Sequence, residues 1–138
     1  MPESRDDMDE KHRVLSQVFG YREFRGGQET LIDAQLAGRD AFGVMPTGGG
    51  KSLCYEIPAL LLEGAALVVC PLISLMKDQV AALTAAGVPA AYINSSLTPE
   101  QIRTVYRYML AGRYKIVYVA PERLLTEGFL RTVDGMRI

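Results

Sequence analysis

Met45-Pro46-Thr47-Gly48-Gly49-Gly50-Lys51-Ser52 decides how the rest of this 138-residue chain is read. Three consecutive glycines let a backbone curl until several N–H groups converge on one anion, with no β-carbon in the way. Lys51 adds a full positive charge, and Ser52 a hydroxyl suited to a divalent cation. An apolar run, Ala41 to Met45, precedes the stretch, and a helical pattern from Lys51 to about Leu62 follows it. A loop that feeds a helix N-terminus adds unpaired N–H groups and a positive dipole end to the same pocket. This chemistry suits a nucleoside triphosphate, ATP above all, held with Mg²⁺. Thr47, Gly48, Gly49, Gly50, Lys51 and Ser52 would surround the phosphates. Lys51 would be the catalytic cation on the β- and γ-phosphates, and Ser52 the hydroxyl on Mg²⁺.

Patterning on either side predicts an α/β fold. Upstream, residues 1–8 read as a flexible acidic leader. A helix follows from about Asp9 to before Gly20, with Val14, Leu15 and Val18 as its apolar stripe. A second spans about Gly27 to Ala37, with Leu31, Ile32 and Leu36 inward and Gly38 as its stop. Ala41–Met45 reads as a short strand before the glycine loop. Ala65–Cys70 is a near-continuous apolar run, the pattern of a strand covered on both faces. A helix from about Ser74 to Ala86, ended by Gly87, leads to a strand at Ala90–Asn94. Thr98-Pro99-Glu100-Gln101 then opens a helix. Thr98 caps it, Pro99 sits where a missing N–H costs nothing, and Gln101 closes a capping box. Its buried face is Ile102, Val105, Tyr106, Met109 and Leu110, and Gly112 ends it. Lys115–Ala120 is a further strand, and Pro121 begins a short helical segment through Leu125. Strands alternating with helices imply a parallel sheet flanked by helices, with ligands beyond the carboxyl ends of its strands. Residues 9–138 are therefore expected to form one domain: two N-terminal helices at about 9–37, then a P-loop core from about 40.

With 49% hydrophobic residues the chain can bury a real core. Fifteen Lys and Arg against 16 Asp and Glu select no partner by overall charge. The acidic residues of the first twelve positions leave a weakly basic remainder, which permits nucleic-acid binding without demanding it. Cys54 and Cys70 have no metal-ligand spacing and apolar neighbours, the setting of small buried thiols. The apolar stretch from Ile57 to Met76 is cut by Pro58, Glu63-Gly64 and Pro71, which fits a helix, a turn and a strand better than a membrane span. No secretory pattern opens the chain, so a soluble, intracellular protein is expected.

Beyond the loop, longer matches accumulate. Phe19-Gly20-Tyr21, Phe24-Arg25, Gly27-Gln28, Gly38-Arg39-Asp40, Met45 through Tyr55 and Pro58-Ala59-Leu60 resemble the RecQ family of ATP-dependent DNA helicases. So do Pro71-Leu72-Ile73-Ser74-Leu75-Met76-Lys77-Asp78-Gln79-Val80, Asn94-Ser95, and Tyr118-Val119-Ala120-Pro121-Glu122-Arg123-Leu124. The resemblance covers roughly residues 14–130 in order and spacing. One departure is Met45, where the general loop pattern has Gly; helicase-type loops tolerate a small or apolar residue there.

The resemblance implies a P-loop NTPase (RecA-like) domain of a 3′-to-5′ helicase acting in DNA recombination and repair, cytoplasmic and, in a bacterium, nucleoid-associated. It implies that Tyr21 stacks on adenine, that Gln28 reads the base edge, and that Arg25 accompanies them at the nucleotide. It also implies DNA contacts at Ser74, Leu75, Lys77, Asn94, Ser95 and Arg123, along single-stranded DNA or DNA with a 3′ single-stranded tail. Arg103 and Arg107 read as solvated cations. No apolar run within the 138 residues is followed at once by Asp-Glu, the carboxylates that would hold Mg²⁺ and polarise water. The reading is therefore a domain truncated before its Asp-Glu strand, lacking the remainder of the motor, with apolar sheet edges left exposed. A complete, non-catalytic ATP- or DNA-binding module is the alternative. A different P-loop enzyme such as a kinase is disfavoured by the 19–28 and 71–80 blocks.

Overall fold

The computed structural model describes residues 2–45 and 50–138, which divide into two compact units, Met1–Leu62 and Glu63–Ile138.

The first unit holds helices α1 (Pro2–Gln17), α2 (Gln28–Leu36) and α3 (Leu53–Leu61). Helix α1 begins ahead of the expected Asp9, so residues 2–8 continue it. Val14 and Leu15 of α1, Ile32 of α2, and Leu53 and Ile57 of α3 form the core, with Phe19, Phe24 and Leu60 packed against it. Lys11 runs its buried stem along this core. Its ammonium reaches Asp33 at 2.5 Å and Glu29 at 3.5 Å, both on α2, so α1 is tied to α2 by charge as well as by apolar contact. Helix α3 contains Pro58, which removes the N–H that would bond the carbonyl of Cys54. Gln35 of α2 replaces it, donating from Nε2 to Cys54 O at 2.7 Å.

Ala41–Met45 is not a strand, contrary to the sequence reading. A strand needs a neighbour for its backbone groups, and no strand pairs with this segment among the described residues. It runs as irregular chain with Phe42 and Val44 85–90% exposed. It is held instead by close contacts. A β-carbon on Gly43 would stand 2.5 Å from Leu31 Cδ1, and the Cys54 thiol lies 3.9 Å from Met45 Sδ.

The second unit is a three-stranded parallel sheet with β1 (Ala66–Val69), β2 (Ala90–Ile93) and β3 (Ile116–Val119) in the order β1-β3-β2. Ala66 and Ala90 both pair with Ile116, so all three strands end level at Val69, Val119 and Ile93. Helix α4 (Ile73–Ala85) links β1 to β2 and packs against β2. Helix α5 (Pro99–Leu110) links β2 to β3, and α6 (Glu127–Asp134) packs on α5 after a 3₁₀ turn at Pro121–Arg123. The middle strand β3 is buried along its whole length. Val117 and Val119 meet Ile93 of β2, Ile102 and Met109 of α5 and Phe129 of α6 in one core. The expected α/β class and parallel sheet are found, with three strands rather than four. Helix α6 was not expected. Phe129 and Val133 carry its apolar stripe, but Thr126 makes no side-chain cap bond because its hydroxyl turns back to Arg123 O. No described helix is long and apolar enough to cross a membrane.

The capping box on α5 is formed in full. Thr98 Oγ1 accepts from Gln101 N at 3.1 Å, and Gln101 Oε1 accepts from Thr98 N at 2.9 Å. Thr98→Ala is expected to cost about 1 kcal/mol in urea denaturation, and an unchanged midpoint would show that the cap contributes nothing to the folded state. Glu56 makes a second prediction. Burial on α3 raises its carboxyl above the ordinary range, and a hydrogen bond from Ser52 opposes part of that rise. A carboxyl with a raised folded pKa is favoured in its protonated state, so stability falls as pH rises from the unfolded value through the folded one. In buffer free of nucleotide and Mg²⁺, Glu56→Gln should raise the unfolding midpoint near about pH 7, with the gain shrinking near about pH 4. An equal gain at both would exclude charge as the cause.

Candidate functional site

In the first unit, the segment between α1 and α2 brings Tyr21, Glu23 and Arg25 to the N-terminal end of α2. There they line a cleft of about 70 Å³ with Gln28, Gly50 and Leu53. Tyr21 is half exposed, held by its N–H on Leu15 O at 3.0 Å. Arg25 is exposed. Gln28 differs. It is buried, its Oε1 accepts from Arg25 N at 2.8 Å, and its Nε2 donates to Gly50 O at 3.0 Å. One amide thus ties the Tyr21–Arg25 segment to the exit of the glycine loop.

Gly50 needs its glycine for two reasons. Its φ is +74°, and a β-carbon there would lie 2.4 Å from Gln28 Nε2. Lys51 and Ser52 form the turn that enters α3, Lys51 exposed and Ser52 half-buried. Thr47, Gly48 and Gly49, the other expected phosphate-binding residues, lie outside the described residues. Of the set, the structure brings Tyr21, Arg25, Gln28 and Gly50 together and adds Glu23 and Leu53, to which the sequence reading gave no site role. A loop that leaves glycine in a left-handed conformation and feeds a helix N-terminus, with an exposed Lys51, fits a triphosphate. No group of three Asp, Glu, His or Cys that could hold a metal occurs among the described residues. Cys54 is half-buried and burial raises its thiol pKa, so it packs as a thiol rather than acting as a nucleophile.

In the second unit, the level strand ends open into the turns that carry the second expected set. Helix α4 starts directly after β1 without a side-chain cap, so its first-turn N–H groups, those of Ser74 and Leu75 among them, lack intrahelical carbonyls. Ser74, Lys77, Tyr92, Asn94, Ser96 and Gln101 line a cleft of about 380 Å³ there. Leu75 and Ser95 are exposed beside it. Arg123 sits in the 3₁₀ turn, half-buried, and is not among the lining residues.

Asn94, expected to contact DNA, lines this cleft from below the surface. It is fully buried. Its Oδ1 accepts from Ser96 N at 2.9 Å and from Ser96 Oγ at 2.5 Å, and its Nδ2 points to Met76 Sδ at 3.5 Å. Both amide ends are committed, so Asn94 shapes the turn and presents Ser95 and Ser96 in its stead. Tyr92, Ser96 and Gln101 were not found from sequence. Asn94-Ser95-Ser96, an Asx-turn sequence at a strand end, was the signal available for Ser96.

The DEAD/DEAH box helicase family matches residues 25–136. The chain is 50% identical over 125 residues to the ATP-dependent DNA helicase RecQ of Haemophilus influenzae, covering 91% of this chain and 20% of that protein. It is 47% identical over 126 residues to RecQ of Bacillus subtilis, covering 91% of this chain and 21% of the relative. Against the ATP-dependent DNA helicase Q1 of Rattus norvegicus it is 47% identical over 116 residues, which is 83% of this chain and 18% of that protein. The chain therefore spans about a fifth of the length of the curated relatives it matches. With the family match running through both clefts, the chain belongs to the DEAD/DEAH box helicases and is similar to their RecQ members.

Proposed function

We propose that this chain is the ATP-gripping and DNA-contacting part of a RecQ-like 3′-to-5′ DNA helicase working inside the cell in DNA recombination and repair. The observation that carries this reading is the convergence of Tyr21, Arg25 and Gln28 on Gly50. An aromatic ring, a guanidinium and an amide meet where the phosphate loop turns into α3, which suits a base at one end of a triphosphate. Tyr21 stacks on adenine, and Arg25 stands beside the nucleotide. Gln28 exchanges one of its backbone partners for the base edge. Thr47 to Gly50 wrap the phosphates, Lys51 neutralises the β- and γ-oxygens, and Ser52 takes Mg²⁺.

On the second unit, the N–H groups of Ser74 and Leu75, the hydroxyl of Ser95, and Lys77 hold the phosphates of a single strand or a 3′ tail. Asn94 supports them from beneath, and Arg123 adds charge along the same strand. Such contacts hold the backbone and read no sequence. Taken alone, the 138-residue polypeptide binds ATP weakly and turns it over negligibly. Its three described strands end at Val69, Ile93 and Val119, and none is followed by the Asp-Glu pair that hydrolysis needs.

Three measurements test this. Titration with a fluorescent ATP analogue should show Mg²⁺-dependent binding that Lys51→Ala weakens at least about tenfold, the scale of one lost charge-assisted contact. Equal affinity in the variant would remove the phosphate-loop assignment. Gln28→Ala should narrow the preference for ATP over GTP, and an unchanged affinity ratio would remove the adenine assignment. DNA-stimulated hydrolysis by this polypeptide at a motor's rate, abolished by Lys51→Ala, would overturn the inactive-fragment part of the reading.

A further inference from the structure

Helix α2 carries two glutamines, Gln28 and Gln35, seven residues apart. At 3.6 residues per turn that places them on one face, two turns from each other. Gln28 Nε2 donates to Gly50 O at 3.0 Å and Gln35 Nε2 to Cys54 O at 2.7 Å. The two acceptors are four residues apart on the chain that leaves the glycine loop and enters α3. Both rungs join the same two stretches of backbone.

The second rung exists for a definite reason. Pro58 has no N–H, so the carbonyl of Cys54, four residues earlier, is left without its helical donor. A carbonyl in a half-buried position costs free energy if it stays unpaired. Gln35 fills the gap, and its remaining amide hydrogen is spent on Leu31 O at 3.0 Å, one turn back on its own helix. With both hydrogens committed, the side chain is pinned at α2 and reaches across to α3 in one geometry. At the other rung the tolerance is small, since Gly50 has no space for even a β-carbon against Gln28.

We infer that Gln35 is a positioning residue for the nucleotide site: by occupying the carbonyl that Pro58 orphans, it sets the register of α3 on α2 and so the seating of Gln28 on Gly50. This rests on reading the loop at 45–52 as an ATP site. Neither Gln35 nor Pro58 touches the nucleotide; both act through the position of Gly50, where the loop leaves the phosphates.

The test uses Gln35→Met in the full 138-residue chain, which keeps the length and helix propensity of the side chain and deletes its amide, both donors included. Affinity for a fluorescent ATP analogue is measured at a temperature where circular dichroism shows the variant folded. The expected result is a loss of about fivefold, the size of a displaced hydrogen-bonding contact. Pro58→Ala supplies the missing N–H from within α3. In that background Gln35→Met should therefore change affinity less than about twofold. An undiminished affinity in Gln35→Met, or an equal loss with and without Pro58, would overturn the inference. If Gln35→Met alone unfolds, the double variant decides. Affinity matching Pro58→Ala supports the positioning role, and a persisting deficit overturns it. Failure of the underlying reading shows up separately, as binding that Lys51→Ala leaves untouched.

Discussion

A buried amide has to find partners for both its ends, and in the first unit that constraint falls on Gln28. Its oxygen takes the N–H of Arg25 and its nitrogen gives to the carbonyl of Gly50. Left unpaired at that depth, either end would cost on the order of 1–3 kcal/mol. The bond therefore dictates what stands around it. It draws the Tyr21–Arg25 segment against the start of α2, brings the exit of the glycine loop to the same point, and leaves no space at position 50 for a side chain. The three-helix core and the Lys11 ion pairs hold α2 where Gln28 can make these bonds.

The second unit solves a similar problem at the ends of its strands. Three parallel strands that stop level leave their last carbonyls and the following turns at one edge. Asn94 sits under one of these turns with its amide spent on Ser96 and Met76. The groups left at the surface are the Ser95 hydroxyl, an ammonium at Lys77 and the N–H groups at the start of α4 that have no side-chain cap. These are the donors that suit a phosphate. In both units, then, a buried amide lies behind a cleft whose smaller or charged groups face outward. Burial, rather than residue type, separates the two roles.

Membership of the DEAD/DEAH box helicases gives this arrangement its context. A motor of that kind must grip a triphosphate and a strand of nucleic acid in a way that is indifferent to base sequence. Backbone N–H groups, hydroxyls and single lysines meet that need, because phosphates look alike along any strand.

The sequence alone determined the features governed by neighbours in the chain. The capping box at Thr98 and Gln101, the turn glycines and the continuous apolar run of β3 are local, and each was legible without coordinates. So was the link between residues 19–28 and the loop at 45–52, though only through resemblance to a family and not through any pattern of period or charge. Tertiary structure decided the rest. Ala41–Met45 has the composition of a strand, but strand formation needs hydrogen-bonding neighbours, and without one the segment stays irregular with Phe42 and Val44 exposed. Helix α6 has Thr126 at its N-cap position but no side-chain cap bond, and it was settled by packing on α5. The burial of Asn94 could not be read locally either, because it packs its amide against Met76, eighteen residues earlier in the chain. The same is true of the glycine loop with which the reading began. Its residues announce a phosphate site, but Gln28 and Gln35, about twenty residues upstream, settle where the chain leaving it lies. No local pattern records the carbonyls they meet.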